Sequence, residues 1–240
     1  MERNAPIDRL SQISTMWSVL VRAHEPTTVG ASIAQHALLE RYGGAVYRYL
    51  VGAVRDPDLA ADLTQEFAIR FLRGDFRHAD PNRGRFRDYL RTALIHLVTD
   101  TRRVQSQSPR PLRLDPPAPP LDDPDSEAIF IAGWRAELLD KTWAALSTSH
   151  PSGHAALVLR VEQPDLSSTA IAQQLTQRFG KEFTADGVRK ALQRAHSQFA
   201  DLLVDEVSRT LNNPDAKEIE AELRALDLLR YCRSAMERRR

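Results

Sequence analysis

Six of the eighteen residues from Arg110 to Glu127 are proline, and they divide the chain. Proline has no backbone donor and opposes a helix, so RPLRLDPPAPPLDDPDSE predicts an extended linker between two units of ordinary domain size. Charge reverses at the same block. From Arg70 to Arg113 eleven arginines stand against four acids, a net +7. From Asp115 to Glu127 there are five acids and no base, a net −5. The whole-chain charge of +1 therefore hides a basic stretch followed by an acidic one.

On both sides of the prolines, apolar residues recur at helical spacing. Leu38, Tyr42, Val46, Leu50 and Val54 mark one helix, and Leu59, Leu63, Phe67 and Phe71 the next. Pro57 suits the first turn of that second helix. Phe86, Leu90, Ala93, Leu94, Leu97 and Thr101 mark a third. Beyond the prolines, Trp143, Leu146, Leu157 and Val161 predict one or two short helices broken at His150–Gly153. A short helix over 168–177 follows, with Ile171 and Leu175 inward. After a polar turn comes a long helix capped by Thr184, its buried stripe being Val188, Leu192, Ala195, Phe199 and Leu202 or Leu203. Ile219, Leu223, Leu226 and Leu229 predict a single amphipathic helix over about 215–237. No stretch alternates as a strand requires. The expected fold is all-α: an N-terminal extension (1–34), a helical bundle (35–109), the linker (110–127), a helix-turn-helix domain (128–210) and a C-terminal helical extension (211–240).

Several function classes recede. No apolar run approaches the ~20 residues that span a bilayer, and the first residues lack a signal-peptide core. The one cysteine, Cys232, excludes an internal disulfide and a cysteine-built zinc site. Together these predict a cytoplasmic protein with no membrane partner. No metalloprotease, phosphate-loop or nucleophile-elbow motif is present, so neither an enzyme nor a cofactor is expected. His150 and His154 are four apart, but Pro151 and Gly153 lie between them, and no metal site is expected.

Three constellations carry chemistry. Opposite the buried stripe of the 184–209 helix lie Asp186, Arg189, Lys190, Gln193, Arg194 and Ser197, side chains that can pair with base edges or hold phosphate. Without a partner the same pattern is a solvated helix face. Arg83, Arg85, Arg87, Arg91, Arg102 and Arg103 interleave with Phe86, Tyr89 and His96, a mixture suited to unpaired bases. Packing alone also explains Phe86, which starts the apolar stripe. Asp58, Asp62, Gln65 and Glu66 form an acidic face that the helix dipole alone would favour.

In series these features resemble a known family. YGGAVYRYLVGAVRDPDLAADLTQEFAIRFL followed by GRFRDYLRTALIHLVTDTRR resembles the second region of extracytoplasmic-function sigma factors. WAALSTSHPSGHAALVLR followed by VRKALQRAHSQFADLL resembles their fourth region. The resemblance implies that Asp58, Asp62, Gln65 and Glu66 dock on core RNA polymerase. It implies that Arg83, Arg85, Phe86, Arg87, Tyr89, Arg91, Arg102 and Arg103 serve the melted promoter element. The helix from Thr184, with Asp186, Arg189, Lys190, Gln193, Arg194 and Ser197, would read the upstream element. An anti-sigma factor or a Ser/Thr kinase would be a further partner. The other class open is a stand-alone helix-turn-helix regulator that binds operator DNA as a dimer.

The chain departs from the family pattern in four places. Leu59-Ala60-Ala61-Asp62 stands where two more carboxylates are usual, which makes Thr64 a candidate phosphorylation site, since phosphate adds about −1.5 to −2 charges. The turn at 176–184 is long, and there are extensions at both ends.

Overall fold

A computed structural model of the chain describes residues 29–73, 85–107, 124–211 and 213–239. Among them are nine helices and no strand. The N-terminal residues 1–28, the loop around Arg83 and residues 108–123, which include 110–123 of the expected linker, lie outside the described residues. The helices are α1 Val29–Val54, α2 Pro57–Arg73, α3 Phe86–Gln107, α4 Pro124–Ser149, α5 Pro151–Glu162, α6 Ser168–Phe179, α7 Ala185–Arg209, α8 Ala216–Ala225 and α9 Leu229–Arg238. They fall into two units. The first holds the described residues up to Glu137, with the stretch 209–213; the second holds 138–208 and those after Pro214.

In the first unit α1, α2 and α3 pack on one another. Arg55 takes a left-handed backbone (φ 55°) that stops α1. Asp56 then caps α2, its Oδ1 accepting from the amides of Asp58 (3.0 Å) and Leu59 (3.1 Å). Pro57 occupies the first helical position, where a missing donor costs nothing. The stripes Leu38–Tyr42–Val46–Leu50, Leu63–Phe67–Phe71 and Phe86–Leu90–Leu94–Leu97 are all buried.

Two boundaries differ from expectation. α1 already runs from Val29, so 29–34 is helix rather than extension. α4 begins at Pro124, inside the expected linker, and its first half belongs to the first unit. That half runs antiparallel along α1 in a fixed register. Glu137 lies at Gly44, where Arg48 donates to its carboxylate (2.6 Å), Gly133 at Arg48, and Ile129 at Gly52. A Cβ on Gly52 would sit 2.5 Å from Cγ2 of Ile129, so only glycine permits this approach. Trp134 stacks on Tyr42 (5.0 Å, 3°), Phe130 meets Tyr49 edge-on (5.5 Å), and Ser126 reaches the Tyr49 hydroxyl (3.3 Å). The proline- and acid-rich composition conceals this stretch as a helix, because Pro124 can occupy the first turn and the acids near it favour the helix dipole.

In the second unit, α4 stops at Ser149 and α5 starts at Pro151, as the His150-Pro151 break implies. Val161, expected inward, is exposed. Ala155, Ala156, Ile171, Ala172, Leu175 and Val188 form one core. Leu146, Leu157 and Ala195 form another, bordered by Trp143, Leu192, Phe199 and Leu202.

The C-terminal extension is two helices rather than the single one expected. The amide of Leu228 donates to the carbonyl of Leu223 (2.8 Å) and that of Asp227 to Arg224 (3.0 Å), with Asp227 at φ 53°. This is the helix-terminating arrangement of paired 6→1 and 5→2 bonds around a left-handed residue, with aspartate in the seat glycine usually takes. The apolar period runs through the break unchanged, so it could not reveal it. α8 starts on a reciprocal cap: the Asp215 carboxylate accepts from the Glu218 amide, and the Glu218 carboxylate from the Asp215 amide, each 2.8 Å. Asp215→Ala should cost about 1 kcal/mol of stability. Denaturant titration checks this, and an unchanged midpoint would show that the cap contributes nothing.

Candidate nucleic-acid interface

The acidic face of α2 is solvent-facing, with Asp58, Asp62 and Gln65 exposed and Glu66 half-buried. Glu66 is occupied within the unit, accepting from Arg70 Nε at 2.7 Å; Arg70 also lies 3.6 Å from Asp100. The stripe continues past the acids. Ile69 (41% exposed) and Leu72 (51%) follow Gln65 at steps of four and three. Asp58, Asp62, Gln65, Ile69 and Leu72 thus make one seam with coiled-coil spacing, polar at its start and apolar at its end. The acids stand out in the sequence, and the two apolar residues do not. A 4-3 step that returns to exposed leucine and isoleucine was the available signal. Thr64 lies about 80–160° around the helix from the seam residues, and its hydroxyl donates to the Ala60 carbonyl (2.7 Å).

On α3 the expected melted-DNA residues separate into groups. Phe86 (4% exposed) and Arg87 (5%) are core; Phe86 packs against Tyr42 (5.0 Å) and Trp134 (6.3 Å). Arg102 donates to the Ala53 carbonyl (3.1 Å), closing the C-terminal end of α1, and Arg103 lies 3.8 Å from Asp100. Arg91 lies 3.9 Å from Glu127 on α4, and Arg85 is half-buried at the start of α3. Arg83 lies outside the described residues. Tyr89 keeps an accessible face. With Phe67, Arg70, Thr92, Ala93, His96 and Leu97 it lines a cleft of about 250 Å³ between α2 and α3. Burial pushes the Tyr89 phenol above its ordinary range, so it remains a neutral donor. The cleft offers an apolar floor, an aromatic face and two polar edges, which is what a planar ring needs.

In the second unit α6 and α7 are joined by the five residues 180–184, longer than the three or four usual in such motifs. Gly180 closes α6 in the left-handed region (φ 65°), its amide donating to Thr176. The Thr176 hydroxyl accepts from the Phe183 amide (3.0 Å), which ties the turn down. Thr184 caps α7, accepting from the Gly187 amide at 3.1 Å. Asp186, Arg189, Lys190, Gln193 and Arg194 are exposed and Ser197 is half-buried, opposite Val188 and Ala195 in the core. Lys190 (2.9 Å) and Arg189 (3.4 Å) hold the Asp186 carboxyl below its usual range, Lys190 more strongly.

Residues 38–107 match the family model of sigma-70 region 2. The matched stretch is 70 of the 240 residues and lies within the first unit. The match takes in α3 and most of α1 and all of α2, and so both the α2 seam and the cleft. It stops short of the half of α4 that packs on α1, and of the whole second unit. No curated protein and no solved structure matches the chain significantly.

Among the described residues no three His, Cys, Asp or Glu side chains gather as metal ligands, and no helix is long and apolar enough to cross a membrane. His150 bonds Gln198 (2.8 Å), and His154 stands edge-on to Trp143 (5.6 Å). Burial pushes the Cys232 thiol up to about 12, so it stays protonated and unreactive.

Proposed function

We propose that this chain is a sigma factor of the extracytoplasmic-function type, which binds core RNA polymerase, holds the melted promoter and directs initiation. The observation that carries the reading is the exposed seam on α2, lying inside the sigma-70 region 2 match. Its apolar end supplies area for a helical partner, and its carboxylates orient that partner through basic side chains. The α2–α3 cleft would take an unpaired base, with Tyr89 and His96 as stacking surfaces and Arg85 and Arg103 near the strand. The exposed face of α7 would enter the major groove of the upstream element. There Arg189 and Arg194 suit guanine, Gln193 suits adenine, and Lys190 suits phosphate.

Purified core polymerase given this chain should initiate from genomic fragments that share a motif. Asp62→Arg combined with Leu72→Glu should weaken core binding roughly thirtyfold, the loss expected from a central interface pair, and leave the fold intact by circular dichroism. A chain that binds duplex DNA tightly alone, as a dimer, and ignores core polymerase would be a stand-alone regulator, and the sigma reading would be lost.

A further inference from the structure

The reading stripe of α7 does not end at Ser197. Eleven residues, three turns, separate Lys190 from Asp201 and Arg194 from Asp205, so each carboxylate lies within about 20° of a reading residue around the helix. Two carboxylates on a face meant for DNA would repel phosphate, and the C-terminal helix answers both. Arg238 pairs with Asp201 at 2.9 Å, and Arg239 with Asp205 at 2.8 Å. Arg239 also donates to the Asp201 carbonyl (3.0 Å). α9 thus meets α7 one turn, about 6 Å, beyond Ser197.

The groove is about 12 Å wide. The stretch from Asp186 to Ser197, about 16 Å of helix, would lie in it. On that docking, what stands one turn further on would reach the phosphates that border the groove. The flank of α9 that carries Arg238 also carries Ser234 and Tyr231, at steps of four and three. Tyr231 is 54% exposed, and the Arg230 guanidinium lies 4.8 Å from its ring centre. Cys232, Ala235 and Met236 fill the buried side. Tyrosine, serine and arginine are the side-chain types that contact DNA backbone without reading sequence.

We propose that α9 is a second DNA contact of this unit: Tyr231, Ser234 and Arg238 hold the phosphate backbone bordering the groove that α7 reads, with the Arg238 guanidinium bridging Asp201 and a phosphate. The inference rests on the α7 reading given above. Its partner is duplex DNA, and its role is affinity rather than sequence choice.

The test uses holoenzyme, made from the full chain and core polymerase, on promoter fragments recovered from genomic transcription. Tyr231→Phe/Ser234→Ala/Arg238→Gln should weaken binding about tenfold on every fragment alike and make the salt dependence shallower by about one ion. Asp201→Asn releases Arg238 and should tighten binding, whereas a purely structural strut would only lose thermal stability. Arg189→Ala/Gln193→Ala should instead change which fragments are preferred. If that pair alters preference while the α9 triple variant leaves affinity and salt dependence unchanged, α9 is no DNA contact though α7 still reads. If neither set changes DNA binding, the α7 reading falls and the inference with it. A triple variant that already binds core polymerase poorly without DNA assigns the flank to polymerase and overturns the proposal.

Discussion

Trp134→Ala should unfold the first unit at a temperature more than about 10 °C lower, the consequence of losing about 3–5 kcal/mol. Trp134 is 1% exposed and is central to a cluster with Tyr42, Phe86 and Phe130 at 5.0–6.3 Å. Removing the indole forfeits its apolar burial and leaves a cavity that two fixed helices cannot close. The glycine register holds α1 and α4 near contact, so neither backbone can move further inward. The expected pattern in a calorimetric scan is one transition lowered and the second unit's nearly unmoved. A wild-type profile from Trp134→Ala would mean that the start of α4 does not belong to the first unit's core.

Lys190→Glu with Arg194→Glu should abolish promoter-dependent transcription, by roughly a hundredfold or more, since each change removes a contact to DNA and places a like charge against it. Both side chains are exposed, and the core behind them is Val188, Ala195 and Leu192 on the opposite side of α7. Stability should therefore stay within a few tenths of a kcal/mol. Binding to core polymerase should survive, because the α2 seam is untouched. Transcription at wild-type level from the double variant would remove α7 from promoter recognition.

Most helices were legible because their apolar residues keep a 3.6-residue period from end to end. The helix starts at Pro57 and after Thr184 were legible because their chemistry is local: a proline at a first turn, and a hydroxyl before a helix. Three features were not. The start of α4 looked like linker because proline and acid counts report composition, whereas its place depends on Gly44 and Gly52 of α1 and Gly133 of α4, which let the two helices approach. The α8–α9 break was invisible because Asp227 adopts a left-handed backbone that sequence period does not register. On α3, alternation of cations and rings could not say which side is inward. Packing takes Phe86 and Arg87, and the backbone of α1 takes Arg102, which leaves Tyr89 and His96 at the cleft. The seam on α2 was half legible, because acids announce exposure and Ile69 and Leu72 do not.

The return of α4 to the first unit changes what the proline block connects. α3 ends at Gln107 and α4 starts at Pro124, and both ends belong to the same unit. The block closes a loop on one body instead of tethering two. Closure entropy grows slowly with length, about 0.6 kcal/mol for each doubling. Insertions between those ends are therefore nearly neutral for folding, whereas deletions are limited by the separation of Gln107 and Pro124 that the loop must close. What the block has to reach is fixed within one body and not by the position of a second.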